Sequence, residues 1–219
     1  MSSQFGNRLK VSIFGQSHGD AVGVVVDGLP AGFHMDKAAL ARFMARRAPG
    51  GTLATPRSEA DTPRFLSGLV DGVTCGAPLC AVIENTNTRS GDYADLSDLP
   101  RPSHADYPAA VKYHGFADAR GGGHFSGRLT APVCVAGGIA LQILQKNGIT
   151  VGAHIASVGD VHDTPFDPVA LTADDLIAPA ARTPAVLDPT AGEAMATLIA
   201  SVAGDGDSIG GVVECAAIG

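Results

Sequence analysis

Four short segments of the 219-residue chain gather side chains that can move protons or hold anions. The first is Gly15-Gln16-Ser17-His18-Gly19. Its glycines let the backbone approach a ligand closely, while Ser17 and His18 offer a hydroxyl and a titratable imidazole. The second is Arg46-Arg47-Ala48-Pro49-Gly50, followed by Arg57 and Arg64 in a stretch without an apolar stripe. Cations at the end of a helix complement its dipole, and one of the pair can also reach sideways into a cleft. The third is Arg101-Pro102-Ser103-His104-Ala105-Asp106-Tyr107, where Asp106 either orients His104 or caps a following helical turn. The fourth runs from Ala119 through Arg120, Gly121, Gly122, Gly123, His124, Phe125, Ser126, Gly127 and Arg128 to Leu129 and Thr130. A triple glycine leading into a helix start suits close backbone approach to an anion. Ser126 and Arg128 add a hydroxyl and a guanidinium there, but the GKS or GKT of a Walker loop is missing.

Two other chemistries fit less well. His104, His114 and His124 recur at intervals of ten, which raises a metal site and with it a metal hydrolase. Zinc sites usually contain a close ligand pair, and these histidines have none, so no metal is expected. Ser17, His18 and Asp106 can be cast as a hydrolase triad, yet no GxSxG elbow is present. Adjacent Ser and His are also expected to be poorly placed as nucleophile and base.

The elements that must position these groups are legible in outline. Short β-like runs occupy 9–14, 22–28, 65–70, 79–85, 151–159 and 211–218, several of them bounded by Gly or Asp. The first two read as a hairpin joined through the Ser17-His18 segment. One helix is expected after Asp36 as N-cap, with Leu40, Phe43 and Met44 on one face and a stop at Pro49-Gly50. A second begins at Thr130 or Ala131 and ends at Asn147-Gly148. A third has Asp188 as cap and Pro189 in its first turn, with Leu198, Ile199 and Val202 inward. Hairpin strands interrupted by helices point to an α+β fold with antiparallel sheets. Regions 45–63 and 86–130 lack apolar periodicity and read as long functional loops.

Composition narrows the partners. At 45% apolar and 17% charged residues the chain can bury a core and is not intrinsically disordered. A net charge of −7 and only 5% aromatic residues argue against nucleic acid and anionic lipid as partners, though not against a small anion met by clustered arginines. Cys75, Cys80, Cys134 and Cys215 form no CxxC pair and are expected to be reduced and mostly buried. No run of 18 apolar residues and no signal-peptide core is present, so a cytoplasmic protein is expected, with residues 1–219 as a single domain.

Taken in order, FGQSHG, VDGLPAG, RRAPG, IENTNTRSGDY, RPSHADY, KYHG, ARGGGHFSGRLTA and GDSIGGVVE resemble the chorismate synthase family across residues 8–219. The resemblance implies a β-α-β sandwich of mainly antiparallel sheets with outer helices. It also implies a phosphate lyase: anti-1,4-elimination of phosphate from 5-enolpyruvylshikimate 3-phosphate to give chorismate, with reduced FMN and no net redox change. By the family motifs, His18 protonates the departing phosphate and His104 protonates or stabilises the reduced flavin. Ser17, Arg47, Arg57, Ser126 and Arg128 fall on positions that hold substrate anions. Arg101, His104, His124, Phe125, Ser126 and Gly127 fall on the flavin-facing stretch. NADPH as a flavin reductant, a homotetramer and a place in aromatic amino-acid biosynthesis belong to the same expectation. Gln16 stands where most members have Glu, and GGGHFSGRLT stands for GGGRSSARET. A further family arginine after Pro49 is replaced by Leu53 or a gap. The family pattern continues well past GGVVECAAIG, with another substrate arginine and a catalytic aspartate, so the chain reads as an N-terminal portion. A truncated, catalytically incompetent anion- or flavin-binding fragment is the alternative.

Overall fold

A computed structural model describes residues 3–48, 60–86 and 99–219. Its contacts group the chain into two units, 1–50 with 55–142, and 51–54 with 143–219.

Unit 1 is built on a five-stranded sheet. In chain order its elements are β1 (Gln4–Phe5), β2 (Lys10–Gly15), β3 (Ala21–Asp27), α1 (Lys37–Arg47), β4 (Arg64–Ser67), β5 (Leu69–Val70), β6 (Val73–Thr74), β7 (Leu79–Glu84), α2 (Asp106–Lys112) and α3 (Thr130–Lys146). The strand order is β1-β2-β3-β7-β4, with β5 and β6 as a separate hairpin. The expected hairpin is present: β2 and β3 pair antiparallel from Lys10↔Asp27 to Gly15↔Val22, which leaves residues 16–20 as the connection. Val22, Val24 and Val26 alternate into the core, where Leu79, Ala81 and Ile83 of β7 meet them. Helix α1 starts as expected, with the Asp36 side chain accepting from the Ala39 N–H at 2.9 Å. It buries Leu40 and Met44 and delivers Arg46 and Arg47 in its last turn.

One expected strand is two. The run 65–70 breaks at Gly68, whose φ is +85° and whose Cα has no room for a side chain against Leu79. The expected loop 86–130 contains α2 and two short 3₁₀ turns. The four cysteines are free, but none of them is buried. Cys75 and Cys215 are exposed, and Cys80 and Cys134 half-buried: Cys75 lies in a loop, Cys80 and Cys215 on strands, and Cys134 in α3 outside its buried positions.

Unit 2 contains β8 (Thr150–Val158), β9 (Val161–His162), α4 (Ala173–Ile177), α5 (Pro189–Gly204) and β10 (Gly211–Ile218). Its sheet order is β10-β8-β9, and the long β8–β10 pair runs from Thr150↔Ile218 to Val158↔Gly211 with one bulge. Asp188 caps α5 through the Thr190 N–H at 2.9 Å, with Pro189 at the first position. Val158, Val186 and Met195 form a core packed by Leu198 and Ile199 among others. Every strand pairing among the described residues is antiparallel, so the fold is α+β.

Candidate active site in unit 1

Two neighbouring groups of side chains assemble from the four segments. The first surrounds the triple glycine. Residues 121–123 all have left-handed backbone angles, with φ of 57°, 85° and 53°. That conformation, together with the missing side chains, lets the His18 ring lie against Gly121 and the His104 ring against Gly122. A methyl group on Gly122 would come within 2.9 Å of the His104 ring and 3.3 Å of the Arg101 guanidinium. The turn is tied to the β2–β3 connection by the Ser17 N–H, which donates to the Gly123 carbonyl at 3.0 Å.

Ser17 is buried, and its Oγ lies 3.1 Å from His18 Nδ1. Adjacent Ser and His, expected to be poorly placed as nucleophile and base, come within hydrogen-bond distance here, because the tight turn folds the two side chains toward each other. Asp106, the third member of that triad reading, is placed on His104 instead of His18. Asp106 is 2.6 Å from His104 Nδ1, and it also receives the Arg101 backbone N–H at 3.0 Å and the guanidinium Nε and Nη2 at 2.8 and 2.9 Å. Of the two roles open to Asp106, orienting His104 is the one observed, because α2 is preceded by Ala105 with no side-chain cap. The Arg101 hydrogen bonds, chiefly that of its side chain, hold the Asp106 carboxyl far below the usual carboxylate range against the opposing effect of burial. The ionised Asp106 lies on the Nδ1 side of His104, and the Cε1–Nε2 edge of the ring faces Gly122.

Beside this group lies a cavity of about 80 Å³ lined by Asp106, Ala109, Asp118, Gly122 and Phe125, among others. Cofactor pockets run to about 300 Å³ and more, so the cavity admits an edge of a ring system and not its whole. Phe125 is partly exposed and makes a tilted contact with Tyr113. His124 has both ring nitrogens engaged by protein groups: Nδ1 lies 2.9 Å from the Gly15 carbonyl and Nε2 2.7 Å from Ser3 Oγ. Asp118, paired with Arg120 at 2.8 Å, is held below its ordinary value by that side chain first and to a lesser degree by the charge of His18.

The second group centres on residues that sequence reasoning passed over. Asp61, with its side chain fully buried, receives Arg47 Nη1 at 2.5 Å on one carboxylate oxygen and Arg128 Nη1 on the other. Arg47 also donates to the Gly127 carbonyl at 3.2 Å and Thr130 Oγ1 at 3.3 Å. Ser126 Oγ accepts from the Arg128 N–H at 3.3 Å and so caps the 3₁₀ turn that presents the arginine. Asn85 links the two groups. Its Oδ1 accepts from Arg128 Nε at 3.0 Å, while its Nδ2 donates to the carbonyls of Gln16 and Gly19 at 3.0 and 2.7 Å. An acid lying between Arg57 and Arg64 was the one sequence signal for Asp61, and Asn85 stood only as one residue of the IENTNTRSGDY motif, with no role read for it.

The structure thus brings Ser17, His18, Arg101 and His104 around the glycine turn, and Arg47, Ser126 and Arg128 around Asp61. Arg57 lies outside the described residues. Among the described residues no cluster of three or more His, Cys, Asp or Glu is placed to hold a metal ion. The arrangement offers two imidazoles with different partners, Ser17 for His18 and Asp106 for His104, next to two guanidinium groups sharing one carboxylate. It suits proton transfer on a polyanionic small molecule.

Comparison with known proteins shows the family of the chain. The family profile described as chorismate synthase matches residues 9–219. The chorismate synthase of Lancefieldella parvula is 42% identical over 230 residues, an alignment that covers 100% of this chain and 60% of that protein. That of Pyrococcus abyssi is 42% identical over 213 residues, covering 97% and 58%. A solved crystal structure of chorismate synthase superimposes with a TM-score of 0.69 at 23% identity, over 97% of this chain and 57% of that one, and so shares the fold. The chain spans about 60% of the length of the curated relatives it matches.

Proposed function

Because the chain belongs to the chorismate synthase family, we propose that unit 1 carries the site for eliminating phosphate from 5-enolpyruvylshikimate 3-phosphate, giving chorismate. The observation that carries this reading is the meeting of His18 and His104 on consecutive glycines, next to two arginines joined through Asp61.

Arg47 and Arg128, with Ser17 and Ser126, take the carboxylate and phosphate charges of the substrate; Arg57 joins them by family motif. Guanidinium groups suit this because they are always charged and hold oxyanions by forked hydrogen bonds. His18, steadied by the buried Ser17 hydroxyl, gives a proton to the departing phosphate oxygen. His104, held by Asp106, turns its Nε2 edge toward the face that Gly122 leaves open. The donor set of Arg101 and His104 beside the Phe125 ring fits the polar edge and flat body of a reduced flavin, and His124 and Gly127 complete that stretch. Reduced FMN, when bound there, supplies an electron-rich partner to the elimination with no net redox change. A cytoplasmic homotetramer, with NADPH as a reductant of the flavin, belongs to the same proposal.

The test is an anaerobic assay of the chain with reduced FMN and enolpyruvylshikimate phosphate. Chorismate and phosphate released in equal amounts is the expected result. Binding of both ligands without phosphate release replaces the reading with that of an anion- and flavin-binding fragment, catalytically incompetent by itself.

A further inference from the structure

We propose that Asp61 is a positioning residue: its carboxylate sets the spacing of the Arg47 and Arg128 guanidinium groups so that together they read one oxyanion. The inference rests on the proposed anion site and goes beyond the residues that the family motifs single out.

Two guanidinium groups brought together repel, and the repulsion grows as water is removed. Here one carboxylate lies between them, with each oxygen on a different arginine. Asp61 and Arg128 are 2% and 4% exposed, so neither charge is solvated and each needs its partner. The three groups together keep one net positive charge, which is what remains to attract an anion. Further contacts hold each guanidinium in place. Arg128 Nε is held by Asn85, and Arg47 Nε and Nη2 by Thr130 and Gly127. Arg47 is the more accessible of the two, with a fifth of its side chain exposed. Asp61 itself sits at φ +48°, a left-handed conformation uncommon for a residue with a side chain. Strained backbone of that kind persists where surrounding contacts over-determine it, and it concentrates at functional sites.

The proposal has an effect opposite in sign to simple charge counting. Asp61→Asn removes a negative charge beside the anion site, so an acid acting only as a neighbouring charge would leave binding tighter. A positioning acid predicts weaker binding, because the guanidinium groups separate once their bridge is gone. The measurement is calorimetric titration of the chain with inorganic phosphate, and separately with enolpyruvylshikimate phosphate. Asp61→Asn is expected to weaken both by about tenfold or more. Asp61→Glu, which keeps the carboxylate, falls between the variant and the unmodified chain. In an Arg47→Gln background Asp61→Asn adds little further loss, since the pair it serves no longer exists. A second readout needs no variant to fold: during phosphate titration the Nε–H signals of Arg47 and Arg128 shift together along one binding curve. Equal or tighter phosphate binding by Asp61→Asn, or two separate curves for the arginines, overturns the inference even in a chain that turns over. Absence of turnover with phosphate binding and its Asp61 dependence intact overturns the catalytic reading alone.

Discussion

His18 and His104, from two distant loops, rest on consecutive residues of one glycine turn, His18 on Gly121 and His104 on Gly122. Their separation is therefore set by the backbone of residues 121–123 rather than by any contact between the rings. Alanine at either position pays twice: about 1–2 kcal/mol for a side chain in the left-handed region, and the collision with its own histidine. The collisions are separable. Gly121→Ala is expected to move the ring resonances of His18 while leaving those of His104, and Gly122→Ala the reverse. NMR of the two variants beside their thermal melts tests this. Equal disturbance of both rings by either variant shows that the turn does not space them independently.

Asp106 controls which nitrogen of His104 carries the proton. Its carboxylate accepts from Arg101 on Oδ2 and from both Arg101 and His104 on Oδ1. Asp106→Asn keeps the shape but offers one acceptor and one donor. With its oxygen kept on the Arg101 backbone and Nε, its amide faces His104 Nδ1, which must then accept. The expected result is a change of His104 from the Nδ1–H to the Nε2–H tautomer, read from the ring ¹⁵N shifts. An unchanged tautomer would mean that Arg101, not Asp106, orients the ring.

How far the sequence carried follows from what each residue touches. Asp36 and Asp188-Pro189 marked helix starts because a cap acts on its own next turn, and that is local chemistry. The β2–β3 hairpin was legible because its valines alternate against a buried face. Helix α2 was not, since it buries only Ala109 and leaves Tyr107 and Val111 exposed, so no apolar stripe exists to be read. Asp61 and Asn85 escaped for another reason. Their partners lie far along the chain, and an acid or an amide among polar neighbours looks like any solvated loop residue until the fold closes on it. Cys80 and Cys215 erred the opposite way: apolar neighbours suggested burial, but alternation along a strand turns every second residue outward.

Unit 2 has its own cluster of buried and half-buried ionisable groups. His154 places Nδ1 2.7 Å from Asp163 and Nε2 2.7 Å from Glu214. Burial raises the Asp163 carboxyl, but the Asp188 and Leu187 backbone N–H groups and the His154 ring more than offset it. Glu214 is lowered by the Phe166 N–H first and then by His154. Both carboxyls thus sit lower in the folded chain than in the unfolded one. The stability they lend is fully present above the ordinary carboxylate range and is lost as pH falls through their folded values. Urea unfolding midpoints should therefore drop below about pH 4. His154→Ala leaves two acids facing a void and should cost about 3–5 kcal/mol near neutrality. The gap from the unmodified chain should narrow on acidification, as the facing acids of the variant take up protons. A gap that stays constant with pH would show that His154 matters only by its volume.

The two histidines of the proposed site should fail in different ways. His18 is tied to the buried Ser17, whereas His104 is the imidazole bonded to Asp106. Removing its ring should therefore take away proton delivery to the departing phosphate and leave the flavin side intact. General-acid loss of this kind costs about 10²–10⁴ in rate, so His18→Ala should slow turnover by that factor with reduced-FMN affinity unchanged. His104 sits on the other side of the glycine turn. In His104→Ala, Arg101 and Asp106 still hold each other through bonds of 2.8 and 2.9 Å, so the damage stays confined to the missing imidazole. Its signature should be weaker binding and an altered spectrum of reduced FMN, with oxidised FMN less affected and turnover slowed in consequence. Anaerobic flavin titration beside steady-state kinetics separates the two. If His18→Ala disturbs reduced FMN and His104→Ala leaves it untouched, the roles are reversed. If both variants turn over at the unmodified rate, neither imidazole carries the reaction.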